Sequence, residues 1–231
     1  MRLFLVRHGN TFGPDQAGGE HIIMSGCHNN IPLVEKGREQ ARAMASYLHQ
    51  QNKIPSAFYA NHLIRTWEAA VLMREYFYYQ LEQMIPLYVD ENLLELDYGA
   101  WAGLGSAGKS AEDNEVIARF GQQAWDDWQE KRLVPQGAPH HWQRGGDEMV
   151  ASLRLFLGVL TEQYDQNQTI VAMGSQGSLV FIHELLPGGL AQAIANQQIH
   201  IKTGNFAELA YENNAWRLVQ WNVKPSLLQS A

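Results

Sequence analysis

Short apolar runs and longer amphipathic segments alternate along the chain. Leu3–Val6 and Thr169–Met173 are largely apolar throughout, which is typical of central strands in a parallel sheet. Within Glu35–Gln51 the apolar residues recur at intervals of three and four, which predicts an amphipathic helix. The same patterns predict strands at Ala57–Ala60, Leu87–Val89, Ile199–Thr203, Phe206–Tyr211 and Trp216–Trp221, and helices from Leu63, at Val116–Trp128, at Met149–Tyr164 and after Gly174 to Leu186. This alternation predicts an α/β protein, a three-layer α/β/α sandwich with a mostly parallel central sheet.

Two regions show neither the apolar pattern of a strand nor the periodicity of a helix. Residues 12–31 are rich in Gly, Asn, His and Pro, and a loop of this length inside a compact domain is usually functional. A Gly- and Ala-rich stretch at residues 99–111 and a Pro- and His-rich stretch at 134–146 frame an inserted helical subdomain. We therefore expect a single domain over residues 1–231, with a helical cap at residues 100–148 that roofs the site.

Composition narrows the class of protein. The chain has 231 residues, of which 45% are hydrophobic, and its formal net charge is −7. An acidic balance argues against binding to nucleic acid or to a membrane surface, which needs a basic face. The single cysteine, Cys27, excludes an intrachain disulfide, and no Cys/His cluster has zinc spacing, so we expect no metal and no cofactor. No apolar run is long enough for a membrane span and the first one is too short for a signal peptide, so a cytoplasmic location is expected.

The first strand runs into a sequence suited to phosphoryl chemistry, Leu5-Val-Arg-His-Gly-Asn-Thr11. The imidazole of His8 can attack phosphorus, and the guanidinium of Arg7 can hold two phosphate oxygens in a bidentate fork. Gly9 allows the backbone to approach closely. Ligands of open α/β sheets bind at the carboxyl ends of the strands, where this sequence is expected to lie.

Four segments together resemble the histidine phosphatase superfamily, the phosphoglycerate-mutase-like proteins. They are Leu5–Thr11; Ile31-Pro-Leu-Val-Glu-Lys-Gly-Arg-Glu-Gln-Ala41; Asn61-His-Leu-Ile-Arg-Thr66; and Leu94-Glu-Leu-Asp-Tyr-Gly-Ala-Trp-Ala-Gly103. The resemblance covers nearly the whole chain and rests on the order and spacing of the segments. It implies the phosphoglycerate-mutase-like fold and a metal-independent phosphomonoesterase that acts on a small phosphorylated substrate. Mutase activity is less expected, because mutases depend on a second histidine.

The resemblance also implies roles for individual residues. His8 would form a phosphohistidine, which splits one displacement into two easier ones. Glu95 would be the general acid and base, with Asp97 as the competing carboxylate. Arg7 and Arg65 would clamp the phosphoryl oxygens. The remaining substrate contacts implied are Asn10, Thr11, Gln176 and Gly177.

Gln176 marks a departure from the family, which normally has its second histidine at this place. A glutamine amide donates hydrogen bonds but carries no charge. Losing one preorganised electrostatic donor commonly costs roughly 10²–10³ in turnover. This leaves open a catalytically weak or inactive phosphate-binding module of the same fold. Three other histidines, His21, His28 and His62, could partly compensate, and the pair His140-His141 could line the substrate entrance, although surface positions are the more usual interpretation for all of them. His183 and His200 are expected to be packed or exposed.

Two further motifs offer different chemistry. Residues Gly103–Ser110 match the phosphate-binding loop of nucleotide-binding proteins, with Lys109 and Ser110 in the roles of phosphate and magnesium ligands. That function needs a buried strand directly before Gly103 and a helix opening at the loop, whereas Ser110 with Asp113 looks like a helix N-cap. Cys27 would need an arginine six residues later to act as a cysteine phosphatase, and that position is leucine. Oligomeric state and the identity of the phosphate ester are not readable from the sequence.

Overall fold

A computed structural model describes residues 1–11 and 23–225. Within these residues six strands form one sheet in the order β3-β2-β4-β1-β5-β6. The strands are β1 (Arg2–Arg7), β2 (Ala57–Ala60), β3 (Leu87–Val89), β4 (Thr169–Gly174), β5 (Phe206–Glu212) and β6 (Ala215–Val223). Strands β1 to β4 are mutually parallel, and β5 and β6 add an antiparallel hairpin at one side. The predicted mostly parallel sheet is confirmed.

The sheet is covered on both faces. In β1, Leu3 and Leu5 belong to one hydrophobic cluster, while Phe4 and Val6 belong to a second cluster on the opposite face. This two-sided burial is why Leu3–Val6, between the two terminal arginines of the strand, is apolar at every position. The α-helices are α1 (Glu35–Gln50), α2 (Ile64–Leu81), α3 (Glu115–Phe120), α4 (Gln122–Lys131), α5 (Gly146–Gln163), α6 (Gln176–Leu179) and α7 (Gly189–Ala195). Helices α1 and α2 cover the Phe4 face and α5 and α7 the Leu3 face, so the three-layer prediction is also confirmed.

Three predicted elements differ in detail. The helix predicted at Val116–Trp128 is two helices, α3 and α4, separated at Gly121, whose φ of 88° lies outside the helical range. The periodicity continues across this break, so the apolar pattern does not reveal it. Residues 199–203, predicted as a strand, do not form one. The helix predicted from Gly174 to Leu186 is one α-helical turn followed by a 3₁₀ segment, Val180–Leu185. The hairpin turn at Asn213-Asn214 is present, and both residues have positive φ.

The proposed insertion at residues 100–148 contains α3 and α4. Its large side chains Trp101 and Trp128 are buried in the same cluster as α5. A separate cap subdomain stays a prediction. Among the described residues no single helix is long and apolar enough to cross a membrane. One bent pair of helices, Gln176–Leu185 with Gly189–Ala195, meets the length and composition of a span, and nothing more.

Candidate active site

The carboxyl ends of β1 and β4 lie side by side and carry the two segments expected to bind phosphate. Arg7 pairs with Gly174 in the β1–β4 register, and the backbone N–H of His8 donates to the Gly174 carbonyl at 3.1 Å. A cavity of about 490 Å³ opens at this edge of the sheet. Every predicted site residue lines it: Arg7, His8, Asn10, Thr11, Arg65, Glu95, Gln176 and Gly177.

The first motif reaches the cavity because Gly9 packs directly on the start of α1. A Cβ on Gly9 would overlap the backbone of Gly37, and one on Gly37 would overlap Asn10. The close approach expected for Gly9 is therefore made to a helix backbone. Asn10 is fixed on both sides, because its N–H donates to the side chain of Gln40 at 2.9 Å and its side-chain oxygen accepts from Thr203 at 2.8 Å.

His8 is a buried neutral imidazole, with 7% of its surface exposed. Its Nδ1 lies 2.8 Å from the Gly9 carbonyl, and since a carbonyl only accepts, Nδ1 carries the ring proton. The unprotonated nitrogen is then Nε2, which is the nucleophilic atom of a neutral histidine. Burial, followed by the positive charges of Arg65 and Arg7, lowers the pKa of His8 well below its ordinary value.

Two arginines flank His8, the half-buried Arg7 and the buried Arg65, and neither forms a salt bridge within the described residues. Arg65, 1% exposed, donates to the carbonyls of Asn29 and Gly26, each at 2.8 Å, and Arg7 donates to the carbonyl of Ile201 at 2.8 Å. Burial lowers the pKa of both guanidinium groups. Within the part of the chain that the structure describes, neither forms a salt bridge. Backbone carbonyls orient these cations but do not neutralise them, so the cavity favours an anion.

The structure separates the two candidate carboxylates. Glu95 is buried and lines the cavity, and it crowds Gly177, where a Cβ would overlap both Glu95 and Tyr98. Asp97 does not line the cavity: its carboxylate lies 3.0 Å from His28 and accepts from the Gly99 N–H at 3.0 Å. Only Glu95 is therefore placed to exchange a proton with a ligand in the cavity.

Gln176 follows β4 and is bound to the chain segment across the cavity. Its Nε2 donates to the carbonyl of Ile199 at 2.7 Å, and its Oε1 accepts from the N–H of Ile201 at 2.6 Å. This contact also explains why residues 199–201 do not join the sheet as a strand, because a side chain takes the place of a strand partner. Gln176 lines the cavity as expected, but its amide is largely occupied by backbone groups.

Four titratable side chains to which the sequence alone assigns no role in the site also line the cavity. They are Tyr98, Arg132, His200 and Lys202. Burial, with a further contribution from Glu95, raises the pKa of Tyr98 well above its ordinary value, so its phenol stays neutral. Arg132 and His200 come from separate segments and meet only in the fold, with Arg132 Nη2 donating to His200 Nδ1 at 2.9 Å. His200, expected to serve only as a packed or exposed residue, thus contributes to the site.

The other histidines lie away from this cavity wherever the structure describes them. His62 pairs with Glu91 at 2.8 Å, His183 contacts the carbonyl of Gln198 at 2.9 Å, and His140 accepts from the Trp101 indole at 3.0 Å. His21 lies outside the described residues. None of the described ones replaces the imidazole missing at Gln176, and the pair at His140-His141 does not line the entrance.

The alternative motifs do not acquire the structures that they need. A 3₁₀ turn, Gly99–Trp101, precedes Gly103, and the next helix begins only at Glu115, so the loop Gly103–Ser110 is neither preceded by a buried strand nor followed directly by a helix. The cap of that helix is Asn114, while the Ser110 hydroxyl donates to the Asp113 side chain at 3.3 Å. Cys27, His28 and Asp97 bring potential metal-ligand atoms within 4.8 Å of one another, outside the cavity. The His28–Asp97 contact accounts for most of this proximity, and the absence of a metal stays a prediction.

Arg7 and His8 at the end of β1, with Arg65 from the first turn of α2, line the cavity of an α/β protein. A model of the histidine phosphatase superfamily (branch 1) matches residues 3–224. The chain belongs to this superfamily, as its motifs predict.

Comparisons with individual proteins agree on the fold. Mycobacterial glucosyl-3-phosphoglycerate phosphatase superposes with a TM-score of 0.74 at 23% identity, over 96% of this chain and 99% of that chain. The α-ribazole phosphatase from Shigella flexneri gives a TM-score of 0.70 at 20% identity, over 100% of both chains. A bifunctional protein from Mycobacterium tuberculosis is 33% identical over 119 residues, which are 52% of this chain and 29% of that protein. The match thus spans less than a third of that relative's length.

Proposed function

We propose that this protein is a metal-independent phosphomonoester hydrolase that acts through a phosphohistidine at His8. The observation that carries the proposal is the neutral His8 ring, with its proton held on Nδ1 by the Gly9 carbonyl and with Arg7 and Arg65 beside it. A neutral imidazole is the nucleophilic form, and two unpaired guanidinium groups suit the charge of a transferred phosphoryl group.

The reaction would proceed in two balanced steps. In the first, His8 Nε2 bonds to phosphorus, the P–O bond to the alcohol breaks, and the Glu95 carboxylic acid gives its proton to the leaving oxygen. In the second, the Glu95 carboxylate takes a proton from water, whose oxygen bonds to phosphorus as the P–N bond breaks and phosphate leaves. Arg7 and Arg65 stabilise the phosphoryl oxygens in both steps, and Asn10, Thr11, Gln176 and Gly177 complete the binding surface.

The size of the cavity supports a small substrate. At about 490 Å³ it falls within the range of small-molecule sites, and a phosphorylated metabolite-sized compound fits. Some phosphatases of the same fold act on substrates of this kind, as their names state. A cytoplasmic location stays a prediction.

A second candidate is a phosphate-binding module with little or no turnover. The observation that favours it is the Gln176 amide, which is uncharged and bound to Ile199 and Ile201. This module would use the same arginines but would not accumulate phosphohistidine.

Rapid-quench trapping distinguishes the two candidates. Mixing the enzyme with p-nitrophenyl phosphate should give acid-labile phosphate on His8 and a burst of p-nitrophenolate. The His8→Gln variant should lose both, while His62→Gln, which changes an exposed histidine outside the cavity, should retain them. Phosphate binding by calorimetry without turnover across a panel of phosphate esters would contradict the enzyme and support the binding module.

A further inference from the structure

A third arginine, which is buried, lies in the cavity beyond the two that flank His8. Arg132 follows α4, is 3% exposed and has a buried Nε with no hydrogen-bond partner. Its guanidinium lies 5.0 Å from the centre of the Trp128 ring, and its Nη2 donates to His200. Within residues 1–11 and 23–225 it forms no salt bridge. A buried cation held by an aromatic face and an imidazole lacks the counter-charge that burial normally requires.

Arg132 differs from the phosphoryl clamp in the groups that it contacts. Its guanidinium donates to His200 and lies over the Trp128 ring, whereas Arg7 and Arg65 donate to backbone carbonyls. Burial lowers the pKa of Arg132 to about 10, which leaves it charged at neutral pH. Arg132 therefore lines the same cavity as the clamp through a separate set of contacts.

The charges lining the cavity exceed what one phosphate ester can neutralise. Among the described residues, four cationic side chains line it, Arg7, Arg65, Arg132 and Lys202, against the carboxyl group of Glu95. Glu95 is protonated and uncharged in the first step of the proposed reaction, so a phosphomonoester dianion offsets two of these four positive charges. Two cations are left for a further anionic group, and Arg132 is the buried one outside the clamp.

We propose that Arg132, with Lys202 at the rim, forms a second anion subsite, and that the substrate is a phosphomonoester whose alcohol part carries a carboxylate or similar anionic group. This rests on the proposed function only in placing the phosphoryl group at His8. The planar guanidinium suits a carboxylate, with Nε available to donate. His200 and Trp128 fix its orientation in advance, which reduces the entropy lost on binding.

Calorimetry with phosphonates tests the subsite without depending on turnover, because the C–P bond is not hydrolysed. The probes are ω-carboxyalkyl phosphonates of two to four carbons, each paired with the ω-hydroxyalkyl phosphonate of the same length. The best carboxylate should bind wild-type protein about 10-fold to 100-fold more tightly than its hydroxyl partner. Arg132→Gln should remove that preference and change the affinity for the hydroxyl compound by less than about threefold.

Control variants distinguish loss of the subsite from misfolding and from the loss of one positive charge elsewhere in the protein. Arg119→Gln removes an exposed arginine from outside the cavity and should leave the preference intact. Arg132→Lys keeps the charge and should retain part of the preference if Arg132→Gln fails to fold. Equal wild-type affinity for both members of every pair would overturn the subsite and leave the phosphatase proposal standing. An equal loss for both members in Arg132→Gln, at unchanged thermal stability, would also overturn it.

Absence of binding by every phosphonate and by inorganic phosphate would overturn both proposals. Phosphohistidine trapped on His8 alongside equal affinities would overturn the second subsite alone. The two failures are thus distinguishable.

Discussion

The N–H of Ile201 donates to the side-chain oxygen of Gln176 at 2.6 Å, while the carbonyl of the same Ile201 accepts from Arg7 at 2.8 Å. Gln176 therefore helps to position an arginine of the site through one intervening residue. A charge-neutral side chain at this place has a structural task that an imidazole, with its different hydrogen-bonding geometry, does not reproduce on both Ile199 and Ile201. The glutamine that departs from the family pattern is therefore also the residue that holds segment 199–201 in place.

Gln176→His should not raise turnover, although it restores the usual residue of the family. The variant loses at least one of the two backbone hydrogen bonds, and leaving a part-buried backbone group unpaired should lower stability by about 1–3 kcal/mol. We expect a lower kcat/KM and a lower Tm, measured by steady-state hydrolysis of p-nitrophenyl phosphate and by thermal denaturation. Gln192→His, on the exposed face of α7, is the matched control and should change neither. A rise in kcat for Gln176→His would show that the missing charge limits the wild-type enzyme.

Glu95→Gln and Asp97→Asn should differ in their effects on catalysis. Removing the general acid should lower kcat/KM, which reports transfer to His8, by about 10²–10⁴ for an alkyl phosphate, and less for p-nitrophenyl phosphate, whose leaving group needs little protonation. Asp97→Asn should keep most of the activity, because Asp97 bonds to His28 and Gly99 outside the cavity. The ratio of kcat/KM values for the two substrates measures the effect, and a larger loss in the Asp97 variant would reverse the assignment.

Gly177→Ala should lower activity through Glu95. The added methyl group would overlap the Glu95 carboxylate and the Tyr98 hydroxyl, so the carboxylate must move away from its place in the cavity. A displacement of this kind should cost about 10-fold or more in kcat. Gly158→Ala is the control, since its new Cβ meets nothing within 4 Å and lies inside α5. That control should stabilise the protein by about 0.5–1 kcal/mol and leave kcat unchanged.

Stability should fall as pH drops below about 6.5, with a contribution from His8. Burial and the neighbouring arginines depress the pKa of His8 in the folded protein, so its ring stays neutral while the ring in the unfolded chain takes up a proton. The unfolded state then binds more protons, and the contribution is lost between pH 6.5 and the lowered native pKa. His8 should add a slope of up to about 1.4 kcal/mol per pH unit in that window. Urea denaturation between pH 5 and 8 should show a shallower slope for His8→Gln; an identical slope would contradict the assignment.

Much of the fold was predictable because its signals are local. The central residues of β1 and β4, Leu3–Val6 and Ile170–Met173, are apolar at every position, as two-sided burial requires. The spacing of Ala41, Met44 and Leu48 follows from the face that α1 buries. The break at Gly121 was not predictable, since a single glycine does not disturb a periodic pattern. The strand predicted at residues 199–203 is wrong, because alternating apolar residues also occur in a segment that is held by a side chain.

The sequence by itself determined which residues can carry the chemistry: the Arg7-His8 pair at a strand end, and the arginine and glutamate segments later in the chain. Only the tertiary structure separates Glu95 from Asp97, which are two residues apart yet differ in whether they line the cavity. It also shows that the uncharged Gln176 helps to position Arg7, and that Arg132 lies at the site. These outcomes depend on contacts between residues far apart in the chain, and no local periodicity or spacing records such contacts.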